Sequence, residues 1–357
     1  MKGINLAGME GGYGGGAAGS MWNRSFGPVA GEDYPVHSPK LIDYFKKKHI
    51  GIIRLLFSWE RLQSELWGPI PAAGAGYTEY FANLKLVVDY ATGVGIVVII
   101  EPWQANKSGG AGGAMWRGQL VGSSKVDMFA FADLWAKLAT IFKSNSKVEY
   151  GLVNEPNTMS TMTWWTVAQK CVDAIRSAGA TTRIYVPGNG YTSAGAWTQN
   201  GYDTARTRRS NAYGWLNANG AGRPLFDPLG KTVAEVHLYL DPAGGGNSTD
   251  IVSATIARER LSVAANEASD HGYSVFVGEI GLFAGNPLAA AAWADFVAYT
   301  KSQPAVTGFA WWAAGSPGWW DDTGADGGGH FSITPTKAGA TYSGDTVNMK
   351  LIAKSFG

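Results

Sequence analysis

Eight short apolar segments, rich in β-branched residues, alternate along the chain with longer stretches of helical periodicity. The apolar segments cover residues 4–7, 51–57, 96–101, 148–153, 183–187, 233–238, 274–279 and 307–312. Apolar positions recur with helical spacing at residues 41–45, 81–91, 128–142, 163–178, 251–268 and 288–302. Buried strands that alternate with helices indicate a parallel sheet covered on both faces.

Eight strand–helix units over 357 residues predict the α/β class and, within it, a closed (β/α)8 TIM barrel. An open doubly wound sheet is the alternative. No internal repeat or linker breaks the pattern, so residues 1–357 are interpreted as one domain. Glycine-rich stretches at 8–31, 109–113, 244–246 and 324–329 predict loops at the end of the barrel where functional sites lie.

The composition limits the classes of partner. A formal net charge of +1 predicts no nucleic-acid partner, and the triplet Lys46-Lys47-Lys48 is interpreted as the solvated end of a helix. The single cysteine, Cys171, excludes an internal disulfide framework. No apolar run reaches the roughly 18 residues that a membrane span needs, which predicts no membrane partner.

The aromatic content favours a carbohydrate-binding cleft. The chain has 15 tryptophans and 15 tyrosines, and flat aromatic faces stack on sugar rings. The plainer interpretation is core packing, because aromatic side chains bury large areas.

The first candidate catalytic residue is Glu155, in the sequence Tyr-Gly-Leu-Val-Asn-Glu-Pro at 150–156. An apolar strand ends here, because Pro156 has no N–H to donate to a sheet. Glu155 is therefore expected at the carboxyl-terminal lip of the barrel. The alternative interpretation is a carboxylate at the start of a helix.

The second candidate is Glu279, in the sequence Val-Phe-Val-Gly-Glu-Ile-Gly at 275–281. The flanking glycines allow close approach of another group to the acid. The alternative is a buried ion-pair partner. The two signals strengthen each other, because glycoside hydrolysis needs two carboxylates flanking one bond.

These motifs, in this order along eight strands, resemble those of glycoside hydrolase family 5, and particularly its endo-β-1,4-glucanases, the cellulases. The resemblance runs along almost the whole chain and implies that residues 1–357 form one glycoside hydrolase catalytic domain. In this family the acid/base and the nucleophile lie at the ends of strands four and seven. Asn154-Glu155-Pro156 is similar to the acid/base motif, and Glu279 matches the nucleophile.

The resemblance also implies supporting residues. Arg54 matches the strand-two arginine that steadies the nucleophile, and His237 and Tyr239 match a strand-six His-x-Tyr pair. Trp312 matches the strand-eight tryptophan under the −1 sugar. Asn154 can hydrogen-bond the substrate 2-hydroxyl, a contact that strengthens in the transition state.

Each role has a physical requirement. Glu155 must be protonated when substrate arrives, and Glu279 must be ionised, which Arg54 favours because a nearby cation lowers a carboxylate pKa. In a retaining mechanism Glu279 attacks the anomeric carbon while Glu155 protonates the departing oxygen. The two carboxyls should then lie about 5 Å apart, whereas an inverting pair is roughly 6.5–9.5 Å apart. Strand alternation turns one polar row toward the barrel axis and mouth: Glu235, His237 and Tyr239.

The sequence departs from the family after strand three. The cellulases carry a histidine there that reaches the −1 sugar, whereas this chain reads Glu-Pro-Trp-Gln at 101–104. We expect Trp103 to bind substrate in that space, with Gln104 as the alternative. Glu101 is interpreted as a buried ion-pair partner of Arg54, the alternative being a substrate ligand. Stacking platforms, or simple loop packing, are expected at four tryptophans: Trp103, Trp116, Trp319 and Trp320.

The expected function is endo-acting, retaining hydrolysis of a β-linked polysaccharide through a covalent glycosyl-enzyme, with β-1,4-glucan as the first substrate. The alternatives are β-mannan, a substituted bacterial exopolysaccharide with a cellulose-like backbone, transglycosylation by the same residues, and a non-catalytic carbohydrate-binding barrel. No cofactor or metal is expected, because no HExxH, cysteine pair or EF-hand loop occurs. We expect a monomer that binds polysaccharide or oligosaccharide and is secreted or extracellular, although no leader is visible.

Overall fold

Eight parallel strands close into a barrel in the computed structural model, which describes residues 2–10, 28–104, 113–206, 208–316, 329–339 and 341–356. In chain order the strands are Lys2–Leu6, Ile52–Phe57, Val97–Pro102, Val148–Gly151, Ile184–Pro187, Thr232–Tyr239, Val275–Gly281 and Val306–Ala314. Strand one pairs with strand two on one side and with strand eight on the other. The predicted closed barrel is confirmed, and the open sheet is excluded.

Helices connect the strands and follow the last one. They are Pro39–Lys47, Trp59–Leu62, Ala75–Gly93, Met128–Phe142, Thr161–Ser177, Asn211–Trp215, Ile256–His271, Ala289–Ser302 and Val347–Phe356. Every predicted helical stretch overlaps one of these helices. Trp59–Leu62 and Asn211–Trp215, of 4 and 5 residues, are too short to show a helical period. Within the described ranges, no helix combines the length and apolar character needed to cross a bilayer.

Short elements complete the described chain. Met115–Trp116 pairs with Gln119–Leu120, and Thr336–Ala338 pairs with Thr341–Gly344. Single 3-10 turns occupy Ala194–Ala196 and Gly329–Phe331.

The inside of the barrel has an apolar layer and a polar layer. The apolar layer is a cluster of buried side chains from six strands: Ile52, Ile99, Tyr185, Val233, Phe276 and Ala310. Two residues further along their strands, Arg54, Glu101 and Glu235 are at most 1% exposed. Polar groups buried this deeply must be paired, because unpaired burial costs several kcal/mol. The polar layer therefore forms the floor of the barrel mouth.

A β-bulge in strand seven sets the direction of Glu279. Val236 pairs with Val277, but the next residue, His237, pairs with Glu279, so the register shifts by one. The pairing of strand seven with strand eight shifts by one residue in the same way, between Val277 and Ile280 of strand seven. Bulges re-aim side chains next to active sites. Both Gly278 and Glu279 consequently face the barrel interior.

The last helix, Val347–Phe356, fastens the loops after strands seven and eight. Asn348 is completely buried and accepts a hydrogen bond from the Ala284 N–H at 2.8 Å. Its amide nitrogen donates to the carbonyls of His330 at 2.9 Å and Ser332 at 3.1 Å. Between these two carbonyls lies Phe331, whose ring stacks on Tyr239 with centroids 6.0 Å apart. The hydrogen bonds of Asn348 thereby help to hold Phe331 against Tyr239, at one wall of the barrel mouth.

Candidate active site

Arg54 is the hub of the site and is completely buried. Its Nη1 donates to Asn5 Oδ1 at 2.7 Å and to Glu279 Oε1 at 2.9 Å. Its Nη2 donates to Glu101 Oε1 at 2.5 Å and to Asn154 Oδ1 at 2.8 Å. The guanidinium therefore joins strands one, two, three and seven to the end of strand four.

Glu279 is held at both carboxylate oxygens and is 3% exposed. Arg54 binds Oε1, and the Tyr239 hydroxyl donates to Oε2 at 2.6 Å. Burial raises the pKa of Glu279, against the lowering effects of His237 and Arg54, while the charge of Glu155 raises it further. Arg54 lowers the pKa of Glu279, as expected, but the effect of burial on this pKa is larger.

Glu155 sits on a strained turn just beyond strand four. Its φ of 47° lies in the left-handed region, which non-glycine residues rarely adopt. The Asn157 side chain donates to the Glu155 carbonyl at 2.8 Å, and the Asn154 N–H donates to the Pro102 carbonyl at 2.9 Å. Such strain persists only where surrounding contacts over-determine the backbone. The next helix, Thr161–Ser177, begins six residues later, so a helix-starting role for Glu155 is wrong.

His237 bridges the two candidate acids. Its Nδ1 lies 2.7 Å from Glu155 Oε1 and 3.3 Å from Glu279 Oε2, and its Nε2 lies 3.3 Å from Glu235 Oε1. Burial opposes the charged imidazolium, but the three carboxylates outweigh burial and raise the pKa of His237 to about 10. The ring is therefore a cation at neutral pH. The predicted inward row of strand six is confirmed by these contacts and by that of Tyr239.

A second pair of carboxyls, Glu101 and Glu235, lies below the first. Arg54 Nε donates to Glu101 Oε2 at 2.8 Å, and Glu235 Oε1 lies 3.0 Å from the same nitrogen. Glu101 is completely buried and bound in bidentate fashion by Arg54. The ion-pair interpretation of Glu101 is therefore confirmed, and the substrate-ligand alternative is excluded.

The two tryptophans predicted to bind substrate lie on strand eight and just after strand three. Trp312, on strand eight, is half-buried, packs against Ala7 and Ala313, and is joined to Ala313 by a cis peptide bond. Trp103 follows strand three, is 8% exposed, and donates its backbone N–H to the Phe57 carbonyl at 2.8 Å. Their substrate contacts remain predictions.

The alternative residues after strand three have other contacts. Gln104 Oε1 accepts the N–H of Trp59 at 3.0 Å, so this side chain serves the start of a helix. Trp116 packs edge-on against Trp59 at 6.4 Å and lies under the Arg117 guanidinium at 4.6 Å, as loop packing predicts. Trp319, Trp320 and most of the loop at 8–31 lie outside the described residues.

Two residues near the site were not predicted from the sequence. Asn5 accepts from Arg54, and its amide nitrogen donates to the Gly278 carbonyl at 2.9 Å. The available signal was a lone polar residue within an apolar strand. Tyr191 is 48% exposed, and its N–H donates to the Pro156 carbonyl at 3.1 Å, beside Glu155. An exposed ring here is a surface on which a sugar can stack.

One group of described residues brings three metal-type donors together. Donor atoms of Glu155, His237 and Glu279 all lie within 4.8 Å of one another. Arg54 and Tyr239 already occupy the oxygens of Glu279. We therefore assign the group to the ion-pair network and not to a metal.

Two carboxyls thus meet at the mouth of a closed (β/α)8 barrel, one held by Arg54 and Tyr239, the other by His237. This arrangement defines the class of barrel glycoside hydrolases, because hydrolysis of a glycosidic bond uses such a pair. The model of the cellulase family, glycosyl hydrolase family 5, matches residues 2–315. The chain belongs to this family.

Individual relatives agree with this assignment. Endo-β-1,4-glucanase A of Emericella nidulans is 32% identical over 324 residues, covering 90% of this chain and 84% of the relative. The solved structure of endo-β-1,4-glucanase Xac0029 from Xanthomonas axonopodis pv. citri has a TM-score of 0.82 at 29% identity, over 99% of this chain and 98% of that chain. XacCel5A in complex with cellopentaose has a TM-score of 0.81 at 29% identity, over 100% and 98%.

Proposed function

We propose that the protein is an endo-acting, retaining hydrolase of β-1,4-glucan, with Glu155 as acid/base and Glu279 as nucleophile. The observation that carries the proposal is the carboxyl pair, with an oxygen of each acid within 4.8 Å of the other. This separation suits a retaining pair, at about 5 Å, better than an inverting pair. The relatives named endo-β-1,4-glucanase and the cellopentaose bound by XacCel5A support the substrate.

Glu279 attacks the anomeric carbon in the first step. Arg54 and Tyr239 each hold one of its oxygens, so the carboxylate is oriented before substrate arrives. Such preorganisation lowers the barrier, because the site does not have to rearrange during the reaction. The product of this step is a covalent glycosyl-enzyme.

Glu155 protonates the departing oxygen and later accepts a proton from water. His237 orients this acid and the nucleophile together, since its Nδ1 lies within 3.3 Å of an oxygen of each. Asn154 gives its amide oxygen to Arg54, which leaves its amide nitrogen for the 2-hydroxyl of the sugar. Trp312 serves as the platform of the −1 sugar.

Trp103 supports a second candidate substrate. It stands where cellulases of the family carry a histidine, so the contacts of the glycone sugar differ. A substituted bacterial exopolysaccharide with a cellulose-like backbone, or β-mannan, is the second candidate. We further propose one catalytic domain over residues 1–357, a monomer, and an extracellular location, because a polymer does not cross a membrane.

The proposal is tested by a screen on carboxymethylcellulose, β-mannan, lichenan and xanthan-type polymers. Endo action lowers viscosity faster than reducing ends appear. Glu279→Ala is expected to abolish the activity, whereas Glu149→Ala, which removes a buried barrel acid bound to Tyr185, keeps it. Full activity of Glu279→Ala, or an inverted anomer in the first product by NMR, contradicts the mechanism.

A further inference from the structure

The proposed mechanism has no use for the second buried carboxyl pair, Glu101 and Glu235. We propose that these two residues share one proton, so that the pair carries a single negative charge and leaves Arg54 able to hold Glu279. They are then positioning residues, acting on the nucleophile through Arg54. The catalytic consequence rests on the proposed function, whereas the shared proton is a property of the folded protein.

Glu101 and Glu235 meet at one nitrogen of Arg54. Its Nε carries one hydrogen, and two acceptors lie on it: Glu101 Oε2 at 2.8 Å and Glu235 Oε1 at 3.0 Å. Two oxygens on one N–H must be close neighbours, and the two carboxyls lie within hydrogen-bonding reach of each other. Both side chains are at most 1% exposed. Two carboxylates in one buried site do not both ionise readily, and sharing a proton removes the repulsion.

One carboxylate oxygen of the pair lacks a hydrogen-bond donor. Glu235 Oε2 is buried and has no hydrogen-bond partner in the part of the chain that the structure describes. Arg54 cannot supply a donor, because its five N–H groups already face acceptors on five side chains: Asn5, Glu101, Asn154, Glu235 and Glu279. A buried acceptor left without a donor costs about 1–3 kcal/mol, and a proton held by the pair lowers this cost because it reduces the negative charge on that oxygen.

Both acids of the pair pack directly against the backbone of a glycine. A Cβ on Gly151 would lie 2.1 Å from Glu101 Oε2, and a Cβ on Gly278 would lie 2.1 Å from Glu235 Oε1. Each carboxyl therefore fills the space that a glycine leaves, and a side chain at either glycine would push its acid out of the pair.

The surrounding charges fit a pair with one negative charge. Two cations act directly on the pair, Arg54 on strand two and His237 on strand six. His237 also faces two further acids, Glu279 on strand seven and Glu155 after strand four. One negative charge on the pair, instead of two, reduces the excess of carboxylates over these two cations. Burial raises the pKa of Glu101 to about 8, with Arg54 opposing and Glu235 adding to the rise. Arg54 and His237 lower the pKa of Glu235 despite its burial, so the two acids titrate as one coupled pair.

Thermal unfolding between pH 5 and pH 9 tests the shared proton without any substrate. A raised pKa means that the folded protein keeps a proton that the unfolded chain has released, so this group makes stability fall between pH about 4.5 and about 8. Glu101→Gln removes the proton, and its Tm relative to wild type should rise steadily with pH across that window. Glu259→Gln, on the exposed face of a helix, controls for the loss of one carboxylate.

Glu235→Gln is the second variant, because either single substitution abolishes sharing while leaving one negative charge. The double variant leaves none, so its loss of stability should exceed the sum of the two single losses. Tm curves of both single variants that run parallel to wild type overturn the proposal. A loss in the double variant that equals the sum of the two single losses overturns it too, since additivity indicates two independently ionised acids.

Kinetics on dinitrophenyl β-cellobioside test the positioning role. Its leaving group needs no protonation, so the pH dependence of kcat/KM above pH 7 is free of the Glu155 acid step. Loss of the shared proton should lower wild-type kcat/KM about tenfold between pH 7 and pH 9, given a pKa of about 8. Glu101→Gln should show no such fall, and a fall equal to that of wild type overturns the positioning role.

The two proposals fail separately. If no β-glucan or aryl cellobioside is cleaved but the Tm curves diverge as described, the shared proton stands and the proposed function falls. If the polymer is cleaved and the Tm curves are parallel, the proposed function stands and the shared proton is overturned.

Discussion

Removing the hydroxyl of Tyr239 isolates one of the two contacts that hold the nucleophile. Tyr239→Phe deletes the 2.6 Å hydrogen bond to Glu279 Oε2 and keeps the ring that stacks on Phe331. The Arg54 contact to Oε1 remains. The variant should therefore fold normally, with a nucleophile that is less well oriented and easier to protonate.

The size of the effect follows from burial. Glu279 is 3% exposed, so water cannot replace the lost donor. A hydrogen bond to a charged group contributes about 1.5–3 kcal/mol, and its loss raises the pKa of Glu279 because the carboxylate loses a donor. The acid limb of kcat/KM should therefore move to higher pH. At the optimum, kcat should fall about 10- to 100-fold, since each ~1.4 kcal/mol changes a rate tenfold.

Tyr185→Phe is a closely matched control. Tyr185 is also buried in the barrel, and its hydroxyl donates to Glu149 at 2.6 Å. This control should lower Tm by a similar amount or more and leave the pH profile on carboxymethylcellulose unchanged. If Tyr239→Phe shifts the acid limb no more than Tyr185→Phe does, the hydroxyl does not control the charge of Glu279.

Three further predictions follow from packing. Gly113→Ala places a Cβ 2.6 Å from the Cα of Pro156, which follows Glu155, so kcat should fall at least about tenfold. Gly31→Ala is the control: its φ is also positive but the space around it is open, so it should lower stability without lowering kcat. Tyr191→Ala should raise KM for cello-oligosaccharides about fivefold with little change in kcat, as expected for a stacking contact of about 1 kcal/mol; an unchanged KM removes this ring from the substrate path. Asp227→Ala should lower the free energy of unfolding by about 3–5 kcal/mol at pH 7, because it leaves a buried arginine without its partner. Hydrogen bonds lower the pKa of Asp227 despite burial, so this contribution is present above pH about 3.8 and should fade as pH falls through the lowered pKa, as acid unfolding curves will show.

Local patterns in the sequence predict the features that depend on one strand at a time. All eight strands are mainly apolar and of ordinary length, and each was predicted from its apolar, β-branched residues and its alternation with helical stretches. The inward row of strand six followed from alternation, since Glu235, His237 and Tyr239 occupy every second position. The position of Glu155 beyond the end of strand four was also predictable locally, because the proline that follows the acid cannot continue a strand.

Contacts across the barrel were not predictable in this way. Asn5 lies 49 residues from Arg54 in the chain, and Glu279 lies 225 residues from it. Nothing in either neighbourhood specifies the other, because barrel closure and register decide which side chains meet. The family resemblance supplied the pairing of Arg54 with Glu279, whereas the part played by Asn5 became visible only in the fold.

Strand seven shows most clearly why alternation alone fails at the site. Phe276 and Gly278 face the interior, so strict alternation would turn Glu279 outward, toward the helices. The bulge adds one residue against both neighbouring strands and brings Glu279 inward beside His237. The same irregularity keeps Gly278 inside, where the absence of a side chain makes room for Glu235. One departure from regular pairing thus positions one acid of each pair, Glu235 and Glu279. Gly278→Ala should therefore displace both acids together and lower the activity.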